Sequence, residues 1–123
     1  MYLIGAPHPH KTDSQQLLEQ CISRKERLVT DAEVLQEILH RYVAIHRRDA
    51  IQAAFDILLA IVDDVFPITQ QDLQRAKEIV LGSTVLSARD ALHLAIMEHH
   101  DVEKIFSFDR DFDGFPGVTR IPA

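Results

Sequence analysis

Twice in this chain an apolar run of strand length leads straight into a threonine and then a helical apolar stripe: Leu28-Val29 before Thr30, and Val65-Phe66-Pro67-Ile68 before Thr69. Few architectures accept that pattern. Helices alternating with short β-rich runs indicate an α/β domain with a mostly parallel sheet, expected here as one domain over residues 1–123. Thr30-Asp31-Ala32-Glu33 fits a capping box, and Val34, Leu35, Ile38, Leu39, Tyr42 and Val43 keep helical spacing behind it. Thr69 is expected to cap a helix over about Gln70–Leu81, and Ser87 one over about Ala88–His100.

The remaining segments fill in around these. Tyr2-Leu3-Ile4 is apolar, then Gly5-Ala6-Pro7-His8-Pro9-His10 breaks any regular element. A helix is expected from about Ser14 to Arg24, capped by Asp13 or Ser14, with Leu17, Leu18, Cys21 and Ile22 inward. Another should run from about Asp49 to Asp63. Its stripe of Ile51, Phe55, Leu58, Leu59 and Val62 is wide, as for burial on two sides or a subunit contact. Ile105–Phe108 and Val118–Ile121 complete the strands. Pro67 has no N–H to give a ladder, so the Val65 strand belongs at a sheet edge.

Charge and composition exclude several classes of function. The net charge is -6, from 19 acids against 13 Lys and Arg, which argues against the broad basic surface of a nonspecific nucleic-acid binder. No apolar run approaches the roughly 20 residues of a membrane span, and a single cysteine, Cys21, allows no internal disulfide. A cytoplasmic protein is the expectation. Seven histidines invite a zinc reading, but no H-E-x-x-H or cysteine pairing supports it. His99 and His100, being adjacent, are expected to diverge on their helix, whereas His93 follows Asp90 by three residues and can face the same edge.

In parallel α/β folds ligands bind where strand C-termini and helix N-termini meet. Three features belong on that edge: the start of the Thr30 helix, Asp90 in the first turn of its helix, and Asp109 at the end of the Ile105 strand. Each acid has a plain structural account. Glu33 serves as the capping-box partner of Thr30, Asp90 completes S-x-x-D with Ser87, and Asp109, Asp111 and Asp113 make a solvated acidic loop. Glu37 has none, and it lies between the inward positions Val34 and Ile38. A carboxylate beside an apolar stripe costs stability unless it is paired or binds a metal.

Thr30–Tyr42 (TDAEVLQEILHRY), Ser87–Ala95 (SARDALHLA) and Ile105–Asp113 (IFSFDRDFD) resemble PIN domains, most nearly the VapC-like ribonuclease toxins of toxin–antitoxin pairs. The resemblance spans nearly the whole chain and implies a PIN-like three-layer α/β/α domain around a mostly parallel central sheet. It also implies a metal-dependent endoribonuclease using Mg²⁺ or Mn²⁺, with RNA as substrate, a cognate antitoxin as partner, and a homodimer. Glu37, Asp90 and Asp109 match three of the family's four metal-binding catalytic acids, with Asp111 or Asp113 assisting. Ser107 matches the hydroxyl residue beside the fourth acid, Thr30 supports the site, and Arg89 or Arg110 would hold phosphate.

One departure stands out. The family opens on an apolar strand ending in Asp, and here the match starts at Tyr2-Leu3, after that motif. The central strand and first acid are therefore expected to be missing, through a start placed too late or a degenerate chain. On that expectation the chain is a poor nuclease, and a catalytically dead PIN-like binding module is the alternative.

Overall fold

The computed structural model describes residues 1–5, 27–107 and 110–121. The helix expected over 14–24, with Asp13, Cys21, His8 and His10, and the candidate acid Asp109 lie outside the described residues. Five strands form one fully parallel sheet: β1 (Tyr2–Ile4), β2 (Leu28–Asp31), β3 (Asp64–Phe66), β4 (Lys104–Phe106) and β5 (Thr119–Ile121), in the order β3-β2-β1-β4-β5. Among the described residues four helices accompany it: α1 (Ala32–Ala44), α2 (Ile51–Ile61), α3 (Gln70–Leu81) and α4 (Ala88–His99). Short 3-10 turns at Arg48–Ala50 and Arg110–Gly114 complete the described elements.

The expectation of a missing central strand is corrected here. Tyr2–Ile4 is the central strand, with Leu3 opposite Val29 on one side and Ile105 on the other. Three residues suffice because all three are buried and alternate between faces. Leu3 joins Val29, Phe66 and Ile105 in the core shared with α3 and α4, whereas Tyr2 and Ile4 join Leu28, Val34, Ile38 and Leu58 in the core under α1 and α2. That sharing of one strand between two cores makes the three-layer α/β/α arrangement. Gly5, not an acid, follows the strand. The Val65 strand lies at the sheet edge as expected, but it ends at Phe66, so Pro67 falls just past the ladder.

Helix α4 is the most buried of the described helices, with every residue from Ala91 to Met97 inside. Its start is set by the Ser87–Asp90 capping box: Ser87 Oγ accepts the Asp90 N–H at 3.1 Å, and the Asp90 carboxylate accepts the Ser87 N–H at 3.4 Å. It stops where Asp101 takes φ 57, which lets Val102 N–H reach back to the Met97 carbonyl at 2.9 Å. Helix α3 has a matching Thr69–Asp72 box and lies antiparallel to α4, tied to it by Asp72–His99 (3.0 Å) and Arg75–Glu98 (3.1 Å).

Three local expectations change. Helix α1 is capped by Asp31, not Thr30, because strand β2 continues one residue further. The Asp31 carboxylate then accepts the Val34 N–H at 3.0 Å, and Glu33 is released from capping duty. The Asp49–Asp63 helix is shorter and less buried than its stripe implies. It begins at Ile51, with only Leu58 fully inside, while Ile57 and Leu59 stand 66% and 47% exposed. His99 and His100 do not diverge: His100 sits at the helix C-cap, so its ring stacks on Phe66 at 3.9 Å and lies 4.4 Å from that of His99.

Candidate functional site at the carboxyl edge of the sheet

Strand β2 hands over to α1 without a loop, so Asp31 is both the last strand residue and the helix cap. Thr30, just before it, is fully buried and donates its hydroxyl to the Ile4 carbonyl at 2.8 Å, tying the ends of β1 and β2 together. This is how Thr30 supports the edge. Glu37 lies on α1 between the buried Val34 and Ile38, with its own side chain only 14% exposed.

The group that organises this edge is His93. It projects from α4, one turn after Asp90, and is buried between two carboxylates. Its Nδ1–H donates to Asp31 Oδ2 at 2.6 Å, and its Nε2–H donates to Glu37 Oε1 at 2.8 Å. Both partners accept only, so both ring nitrogens carry protons and the ring is an imidazolium. Burial by itself works against that charge, but the hydrogen bonds and the negative charges of Asp31 and Glu37 prevail, and the His93 pKa is pushed up to about 10. Among the described residues, no buried side-chain nitrogen or oxygen lacks a hydrogen-bond partner.

The edge remains acidic even with His93 charged. Burial holds the Glu33 carboxyl above its ordinary range. The His93 cation opposes this, Glu37 and Asp31 add to it, and Arg89 draws it back down. Such like-charge crowding is relieved by a cation. The oxygens of Glu37 and Asp90 are hard donors of the kind Mg²⁺ or Mn²⁺ prefers, so the donor chemistry fits. Among the described residues, however, no group of three or more His, Cys, Asp or Glu is close enough to hold an ion, and Asp109 is outside them.

The other candidates are placed as follows. Asp90 stands at the start of α4, partly buried, with its carboxylate engaged in the capping box. Arg89 is exposed beside it and acts electrostatically on Glu33. Ser107 follows β4 and pairs through its N–H with the Ile121 carbonyl at 2.9 Å. Arg110, Asp111 and Asp113 belong to the 3-10 turn, anchored by buried Phe112. Arg120 clamps Asp113 at 2.7 and 3.2 Å, and that hydrogen-bonded guanidinium holds the Asp113 carboxyl below its usual range. Asp113 is thus occupied in fastening the turn to β5.

Asp31 is the site residue that the sequence reading missed. In the capping-box pattern T-D-A-E it is an interior letter. An acid immediately after an apolar strand and before a helix was the signal that could have exposed it, the same signal that singled out Asp109.

A parallel five-stranded sheet between two helical cores, with Asp31, His93 and Glu37 joined at its carboxyl edge, defines a three-layer α/β protein. The PIN domain description matches residues 1–118. A VapC ribonuclease of Mycobacterium bovis and ribonuclease VapC13 of Mycobacterium tuberculosis are each 60% identical over 121 residues, covering 98% of this chain and 92% of the relative. Ribonuclease VapC23 of M. tuberculosis is 33% identical over 109 residues, covering 89% of this chain and 86% of its own. Among solved structures, M. tuberculosis VapC20, a sarcin–ricin loop cleaving toxin, superposes with a TM-score of 0.74 at 21% identity, covering 96% of this chain and 98% of that one. A chain of VapBC2 from Rickettsia felis, bound to a DNA fragment from their promoter, gives 0.74 at 14% identity and covers 97% and 96%. The chain belongs to the PIN domain family, and within it to the VapC-like kind.

Proposed function

We propose that this protein is an endoribonuclease dependent on Mg²⁺ or Mn²⁺, and the toxin half of a cytoplasmic toxin–antitoxin pair. The observation that carries the reading is the acidic edge built by Glu37 and Asp90, in a chain 60% identical to relatives named VapC ribonucleases. Glu37 and Asp90 would hold the cation together with Asp109, and Asp111 would assist. When bound, the ion supplies an acidified water as nucleophile and neutralises charge on the phosphodiester. The chain's own part is to fix the carboxylates and to bring RNA to the edge. Glu37 has one oxygen committed to His93, which restricts it to presenting the other. Arg89, exposed at the start of α4, and Arg110 are the candidates to meet phosphate.

The partners follow from exposed apolar surface. Leu39 and Val43, one turn apart on α1, with Ile45 just beyond it and Ile57 and Leu59 on α2, are exposed apolar side chains that a second copy of the chain or the antitoxin would cover. The structural relatives that include a VapBC pair and a toxin–antitoxin complex from Klebsiella pneumoniae support an antitoxin partner.

The test is RNA cleavage by the purified chain after chelation and after adding back Mn²⁺, alongside Asp90→Ala and Glu37→Gln. Cleavage should require the metal and fall on the order of 100-fold in either variant. Cleavage untouched by both would sink the reading. One observation favours a second reading, a catalytically inactive binding module: Gly5 follows the central strand where the family resemblance calls for an acid. Under that reading Mn²⁺ binds weakly and no RNA is cut at any metal concentration.

A further inference from the structure

The metal-site reading accounts for Glu37 and Asp90 but gives no work to Asp31 or His93, two ionisable side chains buried at the same edge. Asp31 is 0% exposed and His93 4%. Ionisable groups this deep are costly unless each polar atom has a partner, and here each one does. Asp31 Oδ1 accepts the Val34 N–H at 3.0 Å, Asp31 Oδ2 accepts His93 Nδ1–H, and His93 Nε2–H ends on Glu37 Oε1. The chain of contacts thus begins at a backbone amide in the first turn of α1, crosses to α4, and returns to α1 at Glu37. Both of its ends are on the same helix, three residues apart, so it braces Glu37 against the helix that carries it. Its middle is on α4, the helix that opens with Asp90.

A glutamate has three side-chain torsions, and on an exposed face it samples many rotamers. A hydrogen bond from a ring that is itself locked by Asp31 leaves Glu37 one orientation. We infer that Asp31 and His93 are positioning residues, which hold one oxygen of Glu37 so that the other is presented to a divalent cation in register with Asp90. This rests on the proposed metal-dependent reading of the edge. A buried histidine held between two carboxylates would otherwise be a structural cross-link between α1, β2 and α4, and the two roles make different predictions.

Three substitutions separate them. His93→Gln keeps an amide N–H near the position of Nε2, facing Glu37, and gives up the Asp31 contact. His93→Asn keeps one near Nδ1, facing Asp31, and releases Glu37. His93→Leu removes both. Mn²⁺ affinity is measured on each folded variant by the paramagnetic resonance of free Mn²⁺, with Glu37→Gln as reference and circular dichroism to confirm folding. Loss of an outer partner of a metal ligand weakens affinity by about 10- to 100-fold. His93→Asn should show that loss, and His93→Gln should stay within about threefold of the parent.

Equal Mn²⁺ affinity in His93→Asn and the parent would overturn the positioning role and leave the metal site standing. So would equal losses in the Asn and Gln variants that simply follow their lowered stability. A parent chain that binds no Mn²⁺ would overturn the metal-dependent reading itself, and this inference with it. If His93→Leu fails to fold, the Asn–Gln comparison still decides.

Discussion

Replacing Asp31 with asparagine removes one negative charge from the buried triad while keeping its shape. The new amide can still accept from Val34 N–H through its oxygen, and its NH₂ then points at His93 Nδ1. The ring can satisfy that donor only by giving up its Nδ1 proton, so His93 should become neutral at pH 7 while still donating to Glu37. In the parent, the folded His93 pKa of about 10 stands above the ordinary 6.5. A raised histidine pKa stabilises the fold fully below about 6.5, and that contribution drains away as pH rises through about 10. Between those limits the unfolded chain has lost the proton and the native one retains it, giving a slope of about −1.4 kcal/mol per pH unit.

From pH 7 to pH 9 this one group should therefore cost the parent roughly 2–3 kcal/mol, and the asparagine variant little of it. At pH 7 the variant should be less stable by about 3 kcal/mol, the low end for a broken buried pair because the ring can discharge. Urea unfolding of both proteins at pH 7, 8 and 9 is the assay, and taking the difference cancels groups common to both. The gap should close with rising pH. A gap that stays constant, or ring resonances of His93 that titrate alike in the two proteins, would refute the argument that Asp31 keeps His93 charged.

Other outcomes follow from single features. Thr69→Ala removes the acceptor for the Asp72 N–H in the α3 capping box and should cost about 1 kcal/mol in urea unfolding. Asp72, whose carboxyl is held below its usual range by Thr69 and His99 despite its burial, contributes stability at neutral pH. That contribution is lost as pH falls through the folded pKa, and Asp72→Asn should flatten the acid limb of the stability profile. Asp101→Gly relieves a left-handed residue at φ 57 and should raise stability by about 0.5–1 kcal/mol. Ile57→Asp, at a site 66% exposed, should change monomer stability by less than about 0.5 kcal/mol yet weaken self-association or antitoxin capture measured by sedimentation.

Much of the framework was legible because it is local. Strand runs and the Thr69 and Ser87 caps each depend on a few consecutive residues; the caps appear where expected, and the strands of the Val65 and Ile105 runs start one residue earlier and end at Phe66 and Phe106. The errors have physical causes. T-D-A-E satisfies the capping pattern with Thr30 as the α1 cap, but pairing in the sheet carries β2 through Asp31 and moves the cap by one residue. The family resemblance puts the central strand before Tyr2. Burial on both faces and pairing on both sides let three residues fill that place. The wide stripe of α2 reads as burial, and the structure leaves part of it facing outward, because periodicity says which residues share a face and not what covers that face.

By itself the sequence determined the parallel α/β plan and marked Glu37 and Asp90 as candidate acids, since capping and apolar periodicity act over a turn or a strand. Only the tertiary structure decided what those acids do to one another. His93 meets Asp31 across 62 residues and Glu37 across 56, contacts that no local pattern encodes. A histidine on a buried helix looks like core until packing sets two carboxylates against its ring. Burial then makes those hydrogen bonds obligatory, and the candidate Glu37 acquires its orientation.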